Sequence, residues 1–202
     1  MSLIKKIEIS IAIALIICTT FSIISFAKTS QKVRSEVLRL HIIANSDSAF
    51  DQNLKLAVRD ALLLAGEDVF DGSVNIENAT QKILPKIEDL TKVAKEIITA
   101  HGADYNVKIQ LSEEYFTTRT YDSVTLPAGE YLALRVIIGK GEGHNWWCVM
   151  FPPMCLSAAD EKEILNDVLS SDEIDLVNKN PKFEPRFKII EIYESLKSHF
   201  NK

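Results

Sequence analysis

The side chains best suited to chemistry are few: three cysteines and four histidines in 202 residues. Cys148 and Cys155 enclose six residues, Val-Met-Phe-Pro-Pro-Met, and the two prolines help to turn the chain back on itself. Outside the cytoplasm a pair this close is expected as a disulfide, and closing so small a ring stabilises by about 2–3 kcal/mol before native strain is subtracted. Two free buried thiols are the plain alternative. A third reading makes Cys148 a nucleophile with His41 or His144 as its base, which requires both cysteines to be free in an oxidising space. A zinc site needs three or four ligands. His144 and Cys148 supply two, and neither His101, at a predicted helix end, nor His199, near the C-terminus, converges on them. H-E-x-x-H, G-x-S-x-G and phosphate-cradling glycine motifs are absent from the sequence. Cys18 sits in an apolar run and reads as a small hydrophobe. The expectation is no catalytic residue, no metal, no cofactor and no enzymatic activity.

Two other constellations suit a protein partner. Trp146 and Trp147 are neighbours on a predicted strand, so their indoles point to opposite faces. Either one is core and the other stands exposed beside Phe151, Pro152, Pro153 and Met154 as an interface anchor, or both faces are covered and both indoles are buried. Asn45, Ser46, Asp47 and Ser48, followed by Asp51 and Gln52, crowd polar groups at a predicted helix start, where Ser48 and Asp51 resemble a capping box. Asp47 and Asp51 serve that start or meet a partner. The acid pairs Glu113–Glu114 and Asp160–Glu161 read as solvated surface. The partner-binding candidates are therefore Asn45, Ser46, Asp47, Asp51, Gln52, Trp146, Trp147, Phe151, Pro152 and Pro153.

The elements that must position these residues begin with a segment unlike the rest. After Lys5, Lys6 and Glu8, the 19 residues from Ile9 to Ala27 carry no charge, the lower end of what spans a bilayer as a helix. Ser25-Phe26-Ala27 ends it with the small-x-small pattern of a cleavage site. Residues 1–27 are thus expected as a cleaved signal or an uncleaved anchor with its lysines inside, 28–36 as a linker, and 37–202 as one extracytoplasmic domain. The part after Ala27 holds 21 bases and 27 acids, net −6. That balance argues against nucleic acid, which needs a basic face, and against electrostatic adsorption to anionic lipid; the membrane contact expected is the N-terminal segment.

Within the domain, Val37–Ala44 suits a strand entering a core. A helix follows, with Leu54, Val58 and Leu62 on its apolar face. A second helical pattern from Ile76 to Ile98 contains Pro85, which predicts a kink or two short helices, and Gly102 suits a left-handed cap. The period then changes to two. Strands are predicted over Tyr105–Leu111, Thr118–Leu126, Glu130–Ile138 and Asn145–Phe151, with Gly139–Gly143 as a hairpin turn. Helices are predicted over 158–169 and 187–200. This order argues an α+β fold: an antiparallel meander of four strands, joined by the N-terminal strand, with helices packed on one face.

The chain also resembles a known family. Leu38-Arg39-Leu40-His41-Ile42-Ile43-Ala44-Asn45-Ser46-Asp47-Ser48, with Asp51, Gln52, Lys55, Val58, Arg59 and Asp60, is similar to the opening of stage II sporulation protein R. So are Thr118-Arg119-Thr120-Tyr121, Leu126-Pro127-Ala128-Gly129-Glu130-Tyr131 with Ala133-Leu134-Arg135, and the most specific block, Gly143-His144-Asn145-Trp146-Trp147-Cys148-Val149-Met150-Phe151-Pro152-Pro153-Met154-Cys155. The likeness runs from about Val37 to Cys155 and is weak after Ser157. It implies a protein made in the forespore of endospore-forming bacteria and exported into the space between the two cell membranes. There it would act as a signal, triggering a membrane-embedded aspartic protease of the mother cell that cuts the precursor of sigma factor E. The rival readings from the residues are a secreted Cys-His hydrolase and a membrane-anchored scaffold or adhesion module.

Overall fold

The computed structural model describes residues 2–70, 73–121, 124–154, 165, 168–178 and 184–200. Helix α1 (Leu3–Glu36) takes in the whole apolar segment and runs on to the first strand; it is long and apolar enough to cross a membrane. Its N-terminal two thirds are exposed, whereas Phe26, Ser30 and Val33 are buried against the domain. Residues 28–36, expected as a linker, are the last turns of this helix. Phe26, Ser30 and Val33 share a helix face because they are spaced by four and three. Arg34 fastens the helix, donating to the Ala128 carbonyl (3.0 Å) and pairing with Glu194 (3.1 Å).

The domain then runs β1 (Leu38–Ile43), α2 (Ala49–Ala65), α3 (Ile76–Ile83), α4 (Ile87–Ala100), β2 (Val107–Phe116), β3 (Arg119–Tyr121), β4 (Val124–Leu126), β5 (Gly129–Ile138), β6 (Asn145–Phe151), α5 (Ser171–Val177) and α6 (Glu184–Phe200). Ser48 caps α2 through its hydroxyl, which accepts from the Asp51 backbone N–H (3.1 Å). Pro85 divides the second helical pattern: a single 3-10 turn over Leu84–Lys86 separates α3 from α4, as the missing N–H requires. Gly102 takes the left-handed conformation after α4 (φ 79°). The helix predicted over 158–169 lies mostly outside the described residues.

The sheet corrects the meander. Its order is β2-β5-β1-β6, with β1 parallel to β5 and antiparallel to β6, and β2 antiparallel to β5. The N-terminal strand is therefore inserted at the centre of a mixed sheet. The single strand predicted over 118–126 is instead a separate two-stranded ribbon, β3–β4. The helices also cover both faces. Leu40, Ile42, Leu134, Val136 and Ile138 pack under α2, α3 and α4, while Tyr131, Ala133 and Val149 pack under α1, the ribbon, α5 and α6. The physical reason lies in β1, buried at all six positions: a strand that is interior on both faces must be covered on both.

Gly139–Gly143 is consequently no hairpin turn. β5 and β6 flank β1, so the link must cross two strand spacings, about 9.6 Å, over the end of β1. The loop lies against that end: Gly143 N–H donates to the Ala44 carbonyl (2.9 Å) and Lys140 N–H to Asn45 Oδ1 (3.0 Å). A Cβ on Gly143 would fall inside contact distance of the Ser46 carbonyl oxygen and 2.5 Å from its carbon, both backbone atoms that cannot swing aside. Gly143→Ala should therefore destabilise the domain by about 1–3 kcal/mol, read as a lower urea midpoint with an unchanged slope.

Candidate functional site

The stretches that carry the family likeness are far apart in the chain and meet on the sheet. Arg39, His41, Ala133, Arg135, Trp147 and Val149 alternate onto the same face of β1, β5 and β6 through the pairs Arg39↔Ala133, His41↔Arg135, Arg39↔Val149 and His41↔Trp147. Arg119 and Tyr121 reach that face from the ribbon. Arg39 lies at the bottom of this arrangement, 0% exposed. Its Nε–H donates to the Cys148 carbonyl (3.0 Å) and an Nη2–H to the Tyr121 hydroxyl (2.5 Å). The guanidinium lies 4.3 Å from the Phe116 ring centroid and 5.0 Å from that of Tyr131. A planar, delocalised cation suits such a cage better than an ammonium. Burial lowers its pKa below the ordinary guanidinium value.

His41 sits one step along the same face. Its ring stacks on Trp147 (5.8 Å, 24°), and its Nε2 is 3.0 Å from Asn145 Oδ1, which assigns the ring proton to Nε2. Nδ1 faces the Glu114 carboxylate at 3.7 Å, beyond hydrogen-bond range, and Arg135 holds that carboxylate at 3.3 Å. Burial pushes the His41 pKa below its ordinary 6.5, against the upward pull of Asn145 and Glu114. A base whose folded pKa is lowered takes up fewer protons than the unfolded chain, so stability is lost as the pH falls below about 6.5. Melting temperature should decline between pH 7 and pH 5.5, and His41→Gln should flatten that decline relative to the parent. An equal slope in parent and variant would show that His41 is not the group responsible.

The two indoles point to opposite faces, as adjacent strand residues must, and both are half-buried. Each lies under an arginine. Arg119 is 3.9 Å from the Trp147 ring centroid, and Arg59, itself paired with Asp60, is 4.5 Å from that of Trp146. Trp146 packs against the core beneath α2–α4. Phe151 and Pro152 are buried and Pro153 is half-buried. Phe151 belongs to that same core, its ring 6.0 Å from Phe70. Phe151 and Pro152 therefore brace the end of β6.

The polar corner is largely self-satisfied. Asp51, 3% exposed, accepts from Asn45 Nδ2 (2.8 Å) and Ser46 Oγ (2.5 Å). Burial alone would raise its pKa, but the Ser46 and Asn45 bonds outweigh it and hold the carboxyl below its ordinary value. Gln52 donates to the Ser46 carbonyl (2.9 Å) and accepts from Lys55 (2.6 Å), whose ammonium also reaches the His144 carbonyl (3.0 Å). Asp47 is exposed and bonds both the backbone N–H and the ring of His144. Asn45, Ser46, Asp51 and Gln52 thus clasp the glycine loop to the start of α2.

Cys148 is disulfide-bonded and Cys18 is free; Cys155, the expected partner, lies outside the described residues. A sulfur held in a disulfide offers no thiolate for attack. Among the described residues no group of three or more His, Cys, Asp or Glu could hold a metal ion. The paired acids Glu113 and Glu114 separate in the structure: Glu113 is exposed, while Glu114 joins His41 and Arg135. No local pattern marks Glu114, Arg119 or Arg135 as site residues: strand pairing brings Glu114 and Arg135 to His41, and the packing of the separate β3–β4 ribbon brings Arg119 over Trp147.

The family described as stage II sporulation protein R matches residues 34–161. Stage II sporulation protein R of Bacillus subtilis (strain 168) is 34% identical over 158 residues, covering 75% of this chain and 70% of the relative. No solved structure matches.

Proposed function

Because the chain belongs to the stage II sporulation protein R family, with a role in sporulation, we propose that it is an exported signal that activates a membrane-embedded aspartic protease. In this reading the protein leaves the forespore by way of its N-terminal segment, acts in the intermembrane space, and causes the mother-cell protease to cut the precursor of sigma factor E. The observation that carries the reading is the convergence of the family's three stretches on one sheet face around Trp147, where Arg119 and a stacked His41 hold the indole. In this reading the patch is the surface that meets the protease. An aromatic anchor already held by its neighbours loses little freedom on association.

The action required is differential binding: the signal must hold the active form of the protease more tightly than the inactive one. Trp147 and Arg119 are the proposed contact, with Asp47 and the exposed His144 at the corner as a secondary one. The proposed Cys148–Cys155 disulfide would tie β6, which carries Cys148, to the segment that follows it. The Cys-His hydrolase draws no support from a disulfide-bonded Cys148.

The test is co-expression of the exported chain, the protease and the sigma factor precursor in one host, with precursor cleavage followed on a blot. Cleavage that depends on the exported chain supports the signalling role. No cleavage, with all three proteins present and correctly located, overturns it in favour of the scaffold reading.

A further inference from the structure

Helix α6 carries apolar side chains that the domain leaves in the open. Ile189, Ile192 and Tyr193 are 47%, 54% and 59% exposed, whereas Phe187, Ile190 and Glu194 are buried. The spacing of three and four gathers the exposed residues on one side of the helix.

The place where α6 docks gives that stripe a meaning. Phe187 meets Phe26 of α1 edge-on, with ring centroids 5.3 Å apart, and Ile23, Phe26, Ile189 and Ile190 line one small apolar cavity. Further along, Glu194 pairs with Arg34. The docking site is therefore where α1 stops being apolar. At 1.5 Å per residue, the uncharged run from Ile9 to Ala27 spans about 28 Å, close to the hydrocarbon thickness of a bilayer. With α1 across a membrane, Phe26 lies at the outer edge of the hydrocarbon. Ile189 then lies at the same level, and Ile192 and Tyr193 follow within the next turn of α6. Charge points the same way. The part of the chain after Ala27 is net −6, yet residues 182–202 hold five bases and three acids, net +2.

We infer that Ile189, Ile192 and Tyr193 seat α6 in the headgroup region of the bilayer that holds α1, making a second lipid contact beside the anchor. The inference rests on the reading of α1 as a membrane-crossing helix. An apolar stripe within a stretch of net positive charge is the composition that binds an anionic interface. The consequence is a domain held down on its own membrane with a defined orientation, not one swinging on a linker.

The test uses the full chain in vesicles of phosphatidylcholine and phosphatidylglycerol. A Cys18→Ser background, kept non-reducing so that Cys148 stays bonded, receives one environment-sensitive fluorophore through Ile192→Cys, Ile16→Cys or Leu64→Cys. Ile16 reports on α1, and Leu64, 72% exposed on α2, reports on the opposite face of the sheet. The expected result is loss of fluorescence with headgroup-labelled nitroxide lipid at position 192, loss with deep nitroxide lipid at position 16, and neither loss at position 64. Quenching by soluble iodide at 192 in place of lipid quenching overturns the inference. So does a blue-shifted label at 192 that neither quencher reaches, which would mean that protein covers α6. Lipid quenching at 192 without any at 16 sinks the anchor and, with it, the placement of α6 beside a membrane-crossing α1; deep quenching at 16 without any at 192 keeps the anchor and overturns the α6 contact alone.

Discussion

Alanine at Trp147 should reduce precursor cleavage in the co-expression assay by about 30-fold or more at limiting amounts of the exported chain. The figure corresponds to a contact worth at least about 2 kcal/mol, the usual threshold for an aromatic anchor at an interface centre. The physical case is that the indole is held before any partner arrives, stacked on His41 and lying under Arg119, 3.9 Å from its guanidinium. Trp147→Phe keeps a flat apolar ring in the same slot and should retain most of the activity. Trp146→Ala should behave differently. That indole packs on the core beneath α2–α4, as Trp147 packs on the core of the other face, so both losses should lower the melting temperature, and only the Trp147 loss should cut cleavage beyond what the lost stability explains. Secondary structure and melting of each exported variant, measured alongside cleavage, separate the two effects. If Trp147→Ala is folded, exported and fully active, the Trp147 face is not where the protease binds.

Removing the Arg39 side chain to Cβ should cost the domain about 3–5 kcal/mol, a large part of the ~5–15 kcal/mol that holds a domain of this size folded. Arg39→Ala empties a fully buried site between Phe116 and Tyr131 and withdraws the donors from the Cys148 carbonyl and the Tyr121 hydroxyl. A buried acceptor left without its charged donor carries its whole desolvation cost. Arg39→Met should be markedly milder, because it fills most of the volume and takes the buried cation away. Arg39→Lys should fall between them, since an ammonium cannot make the same planar fork or the same ring contacts. Urea unfolding of the four proteins gives the order directly. An Arg39→Ala unfolding free energy within about 1 kcal/mol of the parent's would show that the cage is slack.

Much of the local structure was legible in the residues. The uncharged run before Lys28 marked a helix fit for a membrane, Ser48 marked the start of α2, Pro85 the break between α3 and α4, and Gly102 the end of α4. Each is a property of a few neighbouring residues: a missing charge, a hydroxyl positioned for an orphan N–H, a missing N–H, a missing Cβ. The family likeness was legible too, because the double tryptophan followed by two closely spaced cysteines is rare. Beyond such short-range signals, β1 read as a buried strand from its apolar run, but nothing in that run names its neighbours.

The tertiary structure decided the rest. Inserting β1 between β5 and β6 is a choice of partners 94 to 113 residues away, made because burying both faces of that strand outweighs the easier hairpin between β5 and β6. From that choice follow the arch of Gly139–Gly143, the use of Asn45, Ser46, Asp51 and Gln52 as a clasp, and the assembly of Arg39, His41, Arg119, Arg135 and Trp147 on one face. The sequence by itself determined the family and the caps, breaks and periods of most elements, since these are set by side chains within a few positions of one another, but not the continuation of α1 through 28–36 or the β3–β4 ribbon. Only the fold decided which polar residues face one another, because strand pairing depends on the summed burial of a whole sheet and not on any one stretch of it.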